Sequence, residues 1–394
     1  MLSDRPLAFV IGDMDLVRPL GLAGIRSVVL APSGASVRYS RFTCAVLDWA
    51  DPVKQPDELV ETLARFGASQ SQPPVLFYEG DGDALLVSRY RERLARTFRF
   101  VAAEPALVED LLDKGRFQIL AERLHLPVPQ TRRLSPDQGA ALENVNLDFP
   151  LIVKPLTRCA EGWMPIAGSA KALQLNRPEE LRALWQRMAA AGVDAVAQEL
   201  VPGPETCIES YHTYVDDQGE IVGEFTGRKI RTYPVEYGQS TALVITDCPE
   251  VATLGRELTR RLSLRGVAKF DFKRGPDGKL RLLEINPRFN LWHHPGALAG
   301  VNLPALVYGD LAGLPRPCVP RARSGVRWCR LQDDRRAARA WHVPLHKWLP
   351  WALACEAKSA VAWDDPMPLV RRLLRQVSWL RSGSSSIPIT MRRA

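Results

Sequence analysis

Residues 267–286 read VAKFDFKRGPDGKLRLLEIN, two alternating runs on either side of Asp277-Gly278. A DG dipeptide between such runs is a strong hairpin signal, because it supplies the positive-φ backbone a tight turn needs. With Asp277 and Gly278 as the two turn residues, Asp271 faces Glu284 and Lys269 faces Asn286. Side chains alternate along a strand, so these four share one face. Ala268, Phe270, Phe272, Leu283 and Ile285 take the other face, and all are apolar. The hairpin therefore has one core face and one polar face.

Two carboxylates directly opposite on a sheet repel by about 0.2–1 kcal/mol when exposed. Burial strengthens the repulsion unless one carboxylate is protonated or a cation lies between them. Asp271, Glu284 and the amide oxygen of Asn286 are the oxygen donors a hard divalent cation takes. The competing reading is a solvated face neutralised by Lys269 and Lys273. A bulge at Gly275-Pro276 would break the register.

The rest of the chain predicts an α/β fold. LAFVI (7–11), a Gly12-Asp13 turn, a helix over Leu16–Leu22 and a strand at 26–31 form a βαβ unit of a parallel sheet. VLFY (75–78) is a further strand. It runs into Glu79-Gly80-Asp81-Gly82-Asp83, which either binds a ligand at the carboxyl end of the sheet or caps the next helix. Asp110–Leu124 has a helical pattern stopped by Pro127 and Pro129, and Pro178–Ala191 and Val251–Leu264 are helical too. Strands are expected at 151–154, 195–201, 206–215 and 220–226, followed by a loop around Gly238.

The stations along 100–310 resemble the ATP-grasp family. Phe-Asp-Phe, the DG turn and Leu-Glu-Ile-Asn-Pro-Arg resemble its metal end. Lys114 in Asp-Lys-Gly-Arg-Phe and Lys154 in Ile-Val-Lys-Pro resemble its two nucleotide lysines. Gln198-Glu199-Leu200-Val201 resembles the hinge that holds adenine through backbone groups, and Glu205 stands where the ribose carboxylate falls. Lys229 resembles a later phosphate lysine. Six stations in the family's order carry the resemblance.

What the resemblance implies is an N-terminal domain (1–105), an ATP-grasp domain (106–320, divided at 195/196) and a basic helical extension (321–394). It implies ATP with Mg2+ (or Mn2+), bound by Lys114, Lys154, Gln198, Glu199, Leu200, Val201, Glu205 and Lys269, with Asp271, Glu284 and Asn286 on the metal. The activity implied resembles that of carboxylate–amine ligases of the D-aspartate ligase kind. A carboxylate becomes an acyl phosphate, an amine displaces phosphate, and ADP is released. Arg288, Lys229 and Arg231 are the expected catalytic cations, because Arg pairs bidentately with phosphate or carboxylate. Small carboxylates and amines, amino acids among them, are the expected substrates. A small-molecule kinase and a non-catalytic nucleotide-binding protein are the alternatives. The loop after Lys154, Thr157–Trp163, departs from the family in holding a single glycine.

Composition narrows the remainder. The chain has 52 Lys+Arg and 44 Asp+Glu, net +8. Arg321–Ala394 holds 15 of the former and 5 of the latter, net +10, so the first 320 residues carry −2. The basicity belongs to the C-terminal segment, which also holds six of the ten tryptophans. Val370–Leu380 reads as a basic amphipathic helix, so 341–380 either packs on the body or touches a membrane surface. The last dozen residues, rich in Ser, are expected to be disordered. Seven cysteines without close spacing argue against a zinc site or disulfide framework and for a cytoplasmic protein, as does the lack of a leader pattern. No P-loop is present, and nucleic-acid binding is not expected. His293-His294 either line the substrate pocket or pack in the core.

Overall fold

A computed structural model describes residues 5–136, 145–156, 162–168 and 170–381, with side chains to Arg375. The loop residues 157–161 and the tail from 382 lie outside the described residues. Three sheets organise the rest.

The first sheet contains β1 (Ala8–Ile11), β2 (Ser27–Ala31), β3 (Thr43–Asp48) and β4 (Val75–Tyr78), parallel, in the order β3-β2-β1-β4. Alternation feeds two cores. Phe9, Ile11, Val28, Leu30, Leu76 and Tyr78 pack on the helix Pro56–Ala68 side, while Ala8, Val10, Val29, Val75 and Phe77 join the core shared with the third sheet. Gly12-Asp13 and Glu79–Asp83 leave the carboxyl ends of β1 and β4, where open parallel sheets present ligand sites.

The second sheet contains β5 (Thr131–Leu134), β6 (Leu151–Pro155), β7 (Leu173–Leu175) and β8 (Ala195–Glu199), in the order β5-β8-β6-β7. Pro178–Ala191 covers it, anchored by Leu181, Leu184 and Met188. The single helix expected over 110–124 is two helices, Pro105–Leu112 and Lys114–Arg123. Asp113 breaks it, because its carboxylate caps the second helix by accepting from the Arg116 N–H at 2.8 Å.

The third sheet is the largest. It contains β9 (Ile208–Val215), β10 (Ile221–Tyr233), β11 (Gln239–Thr246), β12 (Gly266–Arg274), β13 (Leu280–Asn286), β14 (Arg327–Cys329) and β15 (Ala357–Lys358). The order is β13-β12-β9-β10-β11-β14-β15. Two corrections to the sequence reading follow. The residues after Gly238 are strand β11, paired along β10. The C-terminal segment is not helical throughout, since β14 and β15 extend this sheet. No helix among the described residues is long and apolar enough to cross a membrane.

The β12–β13 hairpin pairs Asp271 with Glu284 and Lys269 with Asn286, by a different route from a two-residue turn. Gly275 N–H bonds Lys279 O, so the turn is the three residues 276–278, with Gly278 at φ +76°. That shifts the lower hairpin by one, pairing Phe272 with Leu282. A bulge between Asp271 and Phe272 leaves Leu283 as the extra residue and restores the register above it. Hence Leu282, not Leu283, is fully buried in the core beside Phe270 and Ile285.

Candidate active site

The polar face of the third sheet is built strand by strand. On β12, Lys269, Asp271 and Lys273 point the same way. On β9, Ser210 lies beside Asp271 and His212 beside Lys269. On β10, Gly227 pairs with Ser210 and Phe225 with His212. Gly227 has a packing reason to be glycine: a Cβ there would meet the Trp292 ring at 2.2 Å.

Asp271 is 2% exposed and accepts hydrogen bonds from the Ser210 hydroxyl on Oδ1 and from Lys269 Nζ on Oδ2, the latter at 2.5 Å. The same ammonium lies 3.9 Å from Glu284. Lys269 therefore bridges the two carboxylates as a monovalent stand-in for a cation. Asn286 completes the set, donating to Glu284 Oε1 at 3.1 Å while its Oδ1 accepts from Arg288 at 3.3 Å. Two carboxylates, an amide oxygen and an ammonium stand-in fit a hard divalent cation.

Lys154 reaches in from β6, with Nζ donating to Gln198 Oε1 at 3.3 Å. Burial pushes its pKa down, opposed by Glu284 and Glu205, and Lys229 adds like-charge repulsion. Glu284, Glu205, Lys229, Lys154 and Lys273 thus share one electrostatic neighbourhood between the second and third sheets. Lys114 opens its helix beside this strand end, where its Nζ donates to Leu156 O at 3.3 Å. In the 198–201 segment, the Leu200 N–H is taken by Pro150 O at 3.0 Å and the Glu199 N–H by Gln130 O at 2.9 Å. The Val201 N–H makes no backbone bond among the described residues. Tyr237, at φ +56° in the β10–β11 turn, donates to Gln174 Oε1 on β7 at 2.9 Å and so ties the two sheets together.

The acidic segment 79–83 divides its roles. Asp83 accepts from Gly80 N–H, capping the helix Asp81–Arg89. Glu79 accepts from the Asp13 N–H at 2.9 Å, and Asp81 pairs with Arg288 Nε. Arg288 is therefore fixed between the first sheet's loop and Asn286. Burial, with Asp13 and Asp15 nearby, raises the Glu79 pKa to about 7. The sequence reading named Glu79 within the 79–83 segment as ligand-binding or helix-capping, but its meeting with Asp13 was not legible, since nothing local shows that β1 and β4 neighbour each other.

Arg231, expected to hold the acyl phosphate, is committed elsewhere. Its Nε and NH2 groups donate to Asp334 at 2.9 and 2.6 Å, and its guanidinium lies 4.1 Å from the centre of a Trp351 ring. It joins the C-terminal segment to the sheet. His293 and His294 are core residues: His294 Nδ1 lies 3.3 Å from Asp15 Oδ1, and His293 packs on Phe289.

A family model described as ATP-grasp in the biosynthetic pathway with Ter operon matches residues 194–333. Solved structures extend the likeness across the chain. An ADP complex of N5-carboxyaminoimidazole ribonucleotide synthetase superposes with a TM-score of 0.62 at 14% identity, covering 83% of this chain and 81% of that one. This is an ATP-grasp fold. The L-amino acid ligase of Bacillus licheniformis shares it at TM-score 0.59 and 13% identity, over 79% and 75% of the two chains. Among curated proteins, the D-aspartate ligase of Enterococcus faecium is 25% identical over 66% of this chain, and a D-alanine–D-alanine ligase B of Chromobacterium violaceum is 26% identical over 51%. The matches span 63% and 65% of those relatives' lengths.

Proposed function

We propose that this ATP-grasp chain activates a carboxylate with ATP as an acyl phosphate and joins it to an amine, releasing ADP and phosphate. The observation that carries the reading is the convergence of Lys154, Lys229, Lys269, Asp271, Glu284 and Asn286 in the cleft between the second and third sheets, with Arg288 at its rim.

Phosphoryl transfer needs positioned positive charge more than covalent help. Lys154 and Lys229, with Lys114 at the neighbouring helix start, supply it in this reading. Asp271, Glu284 and Asn286 would hold a magnesium ion, which when bound neutralises phosphate charge. Lys269 would then leave Asp271 and turn toward the phosphates. Arg288, oriented by Asp81, is the group for the substrate carboxylate or acyl phosphate; Arg231 has no part. Val201 N–H and the 198–201 backbone would take the base, and Glu205 the ribose. Amino acids are the substrate class favoured, because the relatives include ligases named for D-aspartate, D-alanine and L-amino acids. The test is chemical trapping: with ATP, magnesium and a carboxylate but no amine, hydroxylamine should capture the acyl phosphate as a hydroxamate. ADP formed with a stable phosphorylated alcohol, and no hydroxamate, would mark a kinase instead.

A peripheral contact with an anionic membrane is a second, separate proposal. Eight of the fourteen exposed large apolar side chains among the described residues lie between Leu345 and Leu374, with Trp363 fully exposed. They occupy the segment that carries the positive charge. Sedimentation with anionic but not neutral vesicles, lost when the exposed Leu349, Leu353, Leu373 and Leu374 are replaced by Ser, is the expected result.

A further inference from the structure

Cys329 and Cys355 are far apart in the chain and take no part in the active site. The fold brings them together. Cys329 is the last residue of β14, and Cys355 lies two residues before β15, which pairs with β14. Between them run the helices Leu331–Ala340 and Leu345–Leu353, which carry Asp334 and Trp348. Both sulfurs rest on the end of the second helix. Cys329 Sγ lies 3.9 Å from Ala352 O and Cys355 Sγ 3.4 Å from Trp351 O, two consecutive carbonyls. The two thiols also hydrogen-bond to each other, and both are free. Cys329 is fully buried and Cys355 is 3% exposed, in one apolar cluster with Ala338, Trp348 and Ala352.

The two sulfurs are not equivalent. The hydrogen bond with Cys329, and then Lys358 and Arg327 nearby, hold the Cys355 thiol below its usual range. The same contact, together with burial, raises Cys329. The Lys358 ammonium also donates to Cys355 O and so fixes the turn that presents this thiol. The thiolate is the nucleophile in disulfide exchange, so Cys355 is the attacking sulfur and Cys329 the resolving one.

We infer that Cys329 and Cys355 form a dithiol modification site, which a low-molecular-weight disulfide converts into an intramolecular disulfide. The Cys355 sulfur attacks one sulfur of the reagent. The reagent's S–S bond breaks, and one thiol leaves with the Cys355 proton. The Cys329 sulfur then attacks Cys355 in the mixed disulfide, and the second thiol leaves with the Cys329 proton. The protein gives up two electrons and two protons, and the reagent takes up both. The new bond closes a loop around the two helices and fastens their base to the third sheet, beside the Arg231–Asp334 pair. This inference is independent of the ligase reading.

The experiment treats the full chain, reduced and native, with oxidised glutathione. Remaining thiols are blocked with N-ethylmaleimide in denaturant, and the peptides are mapped by mass spectrometry. The expected result is a linked Cys329–Cys355 peptide pair, lighter by two hydrogens and separated again by dithiothreitol. The linked chain should melt at a higher temperature, because the closed loop has less entropy to gain on unfolding. In Cys329→Ala the link should be lost and glutathione should stay on Cys355. Cys44 and Cys318 are exposed and report that the reagent is active. Cys329 and Cys355 still carrying maleimide after Cys44 and Cys318 have reacted would overturn the inference. So would glutathione retained on Cys355 in the wild type, since Cys329 would then be out of reach, or a linked chain that melts lower. If Cys329→Ala does not fold, the wild-type map decides alone.

Discussion

Asp334→Ala should destabilise the protein by about 3–5 kcal/mol, the typical result of stripping one partner from a buried ion pair. Asp334 is fully buried and accepts four hydrogen bonds, two from Arg231, one from Thr241 Oγ1 at 2.9 Å and one from Trp348 Nε1 at 2.8 Å. The alanine leaves a guanidinium, whose side chain is 9% exposed, without its counter-charge. It also leaves the Trp348 indole N–H without its acceptor, worth about 1–3 kcal/mol if nothing else satisfies it, whereas the Thr241 hydroxyl keeps the Arg231 carbonyl oxygen at 3.3 Å. These losses overlap, because Trp348 and Arg231 can relax into one cavity, so the ion-pair figure bounds the expectation better than their sum. Removing both charges should be milder: Arg231→Met with Asp334→Leu replaces the pair by apolar groups of similar volume, which is often close to neutral. The assay is urea unfolding followed by tryptophan fluorescence, with unchanged m-values required for comparison. A loss below about 1 kcal/mol in Asp334→Ala would refute the structural role of the pair. So would normal stability with collapsed turnover, which would return Arg231 to catalysis.

Three further outcomes follow from the same geometry. Gly227→Ala puts a methyl group into the Trp292 ring, and should cost about 1–3 kcal/mol in the same unfolding assay. Asp271→Asn keeps the shape but removes a ligand charge and the counter-charge of Lys269, so magnesium-dependent tightening of ADP binding should fall at least tenfold and the melting temperature without metal should fall as well. Glu79 binds its proton more tightly folded than unfolded, since its pKa rises from 4.5 to about 7. Its contribution favours the fold below the unfolded value and is lost as pH rises through 7. Glu79→Gln should therefore gain melting temperature relative to wild type between about pH 5 and pH 8; a constant difference across that range would count against the assignment.

The polar face of the hairpin was legible because strand alternation and a DG turn are local signals. Its detail was not. A three-residue turn with Gly278 at positive φ and a compensating bulge at Leu283 cancel at Asp271, and the pattern alone cannot separate that from a two-residue turn. The signals that went unread are long-range. Arg231 looked like a free cation because Asp334 lies 103 residues away. Glu79 and Asp13 meet only because β1 and β4 are neighbours in the first sheet. Strand β11 went unassigned after the loop expected around Gly238, although its residues Ala242, Leu243 and Ile245 are fully buried. The competing reading made Lys273 a neutraliser on a solvated face, whereas its strand lies between β9 and β13 and the residue is buried.

The central claim is an ADP-forming ligation, and product stoichiometry tests it most directly. Incubation with ATP, magnesium and a panel of amino acids, D and L, in paired combinations should yield ADP, phosphate and one amide product in equal amounts, resolved by mass spectrometry. Asp271→Asn should abolish all three together. AMP and pyrophosphate in place of ADP and phosphate would contradict the acyl-phosphate account.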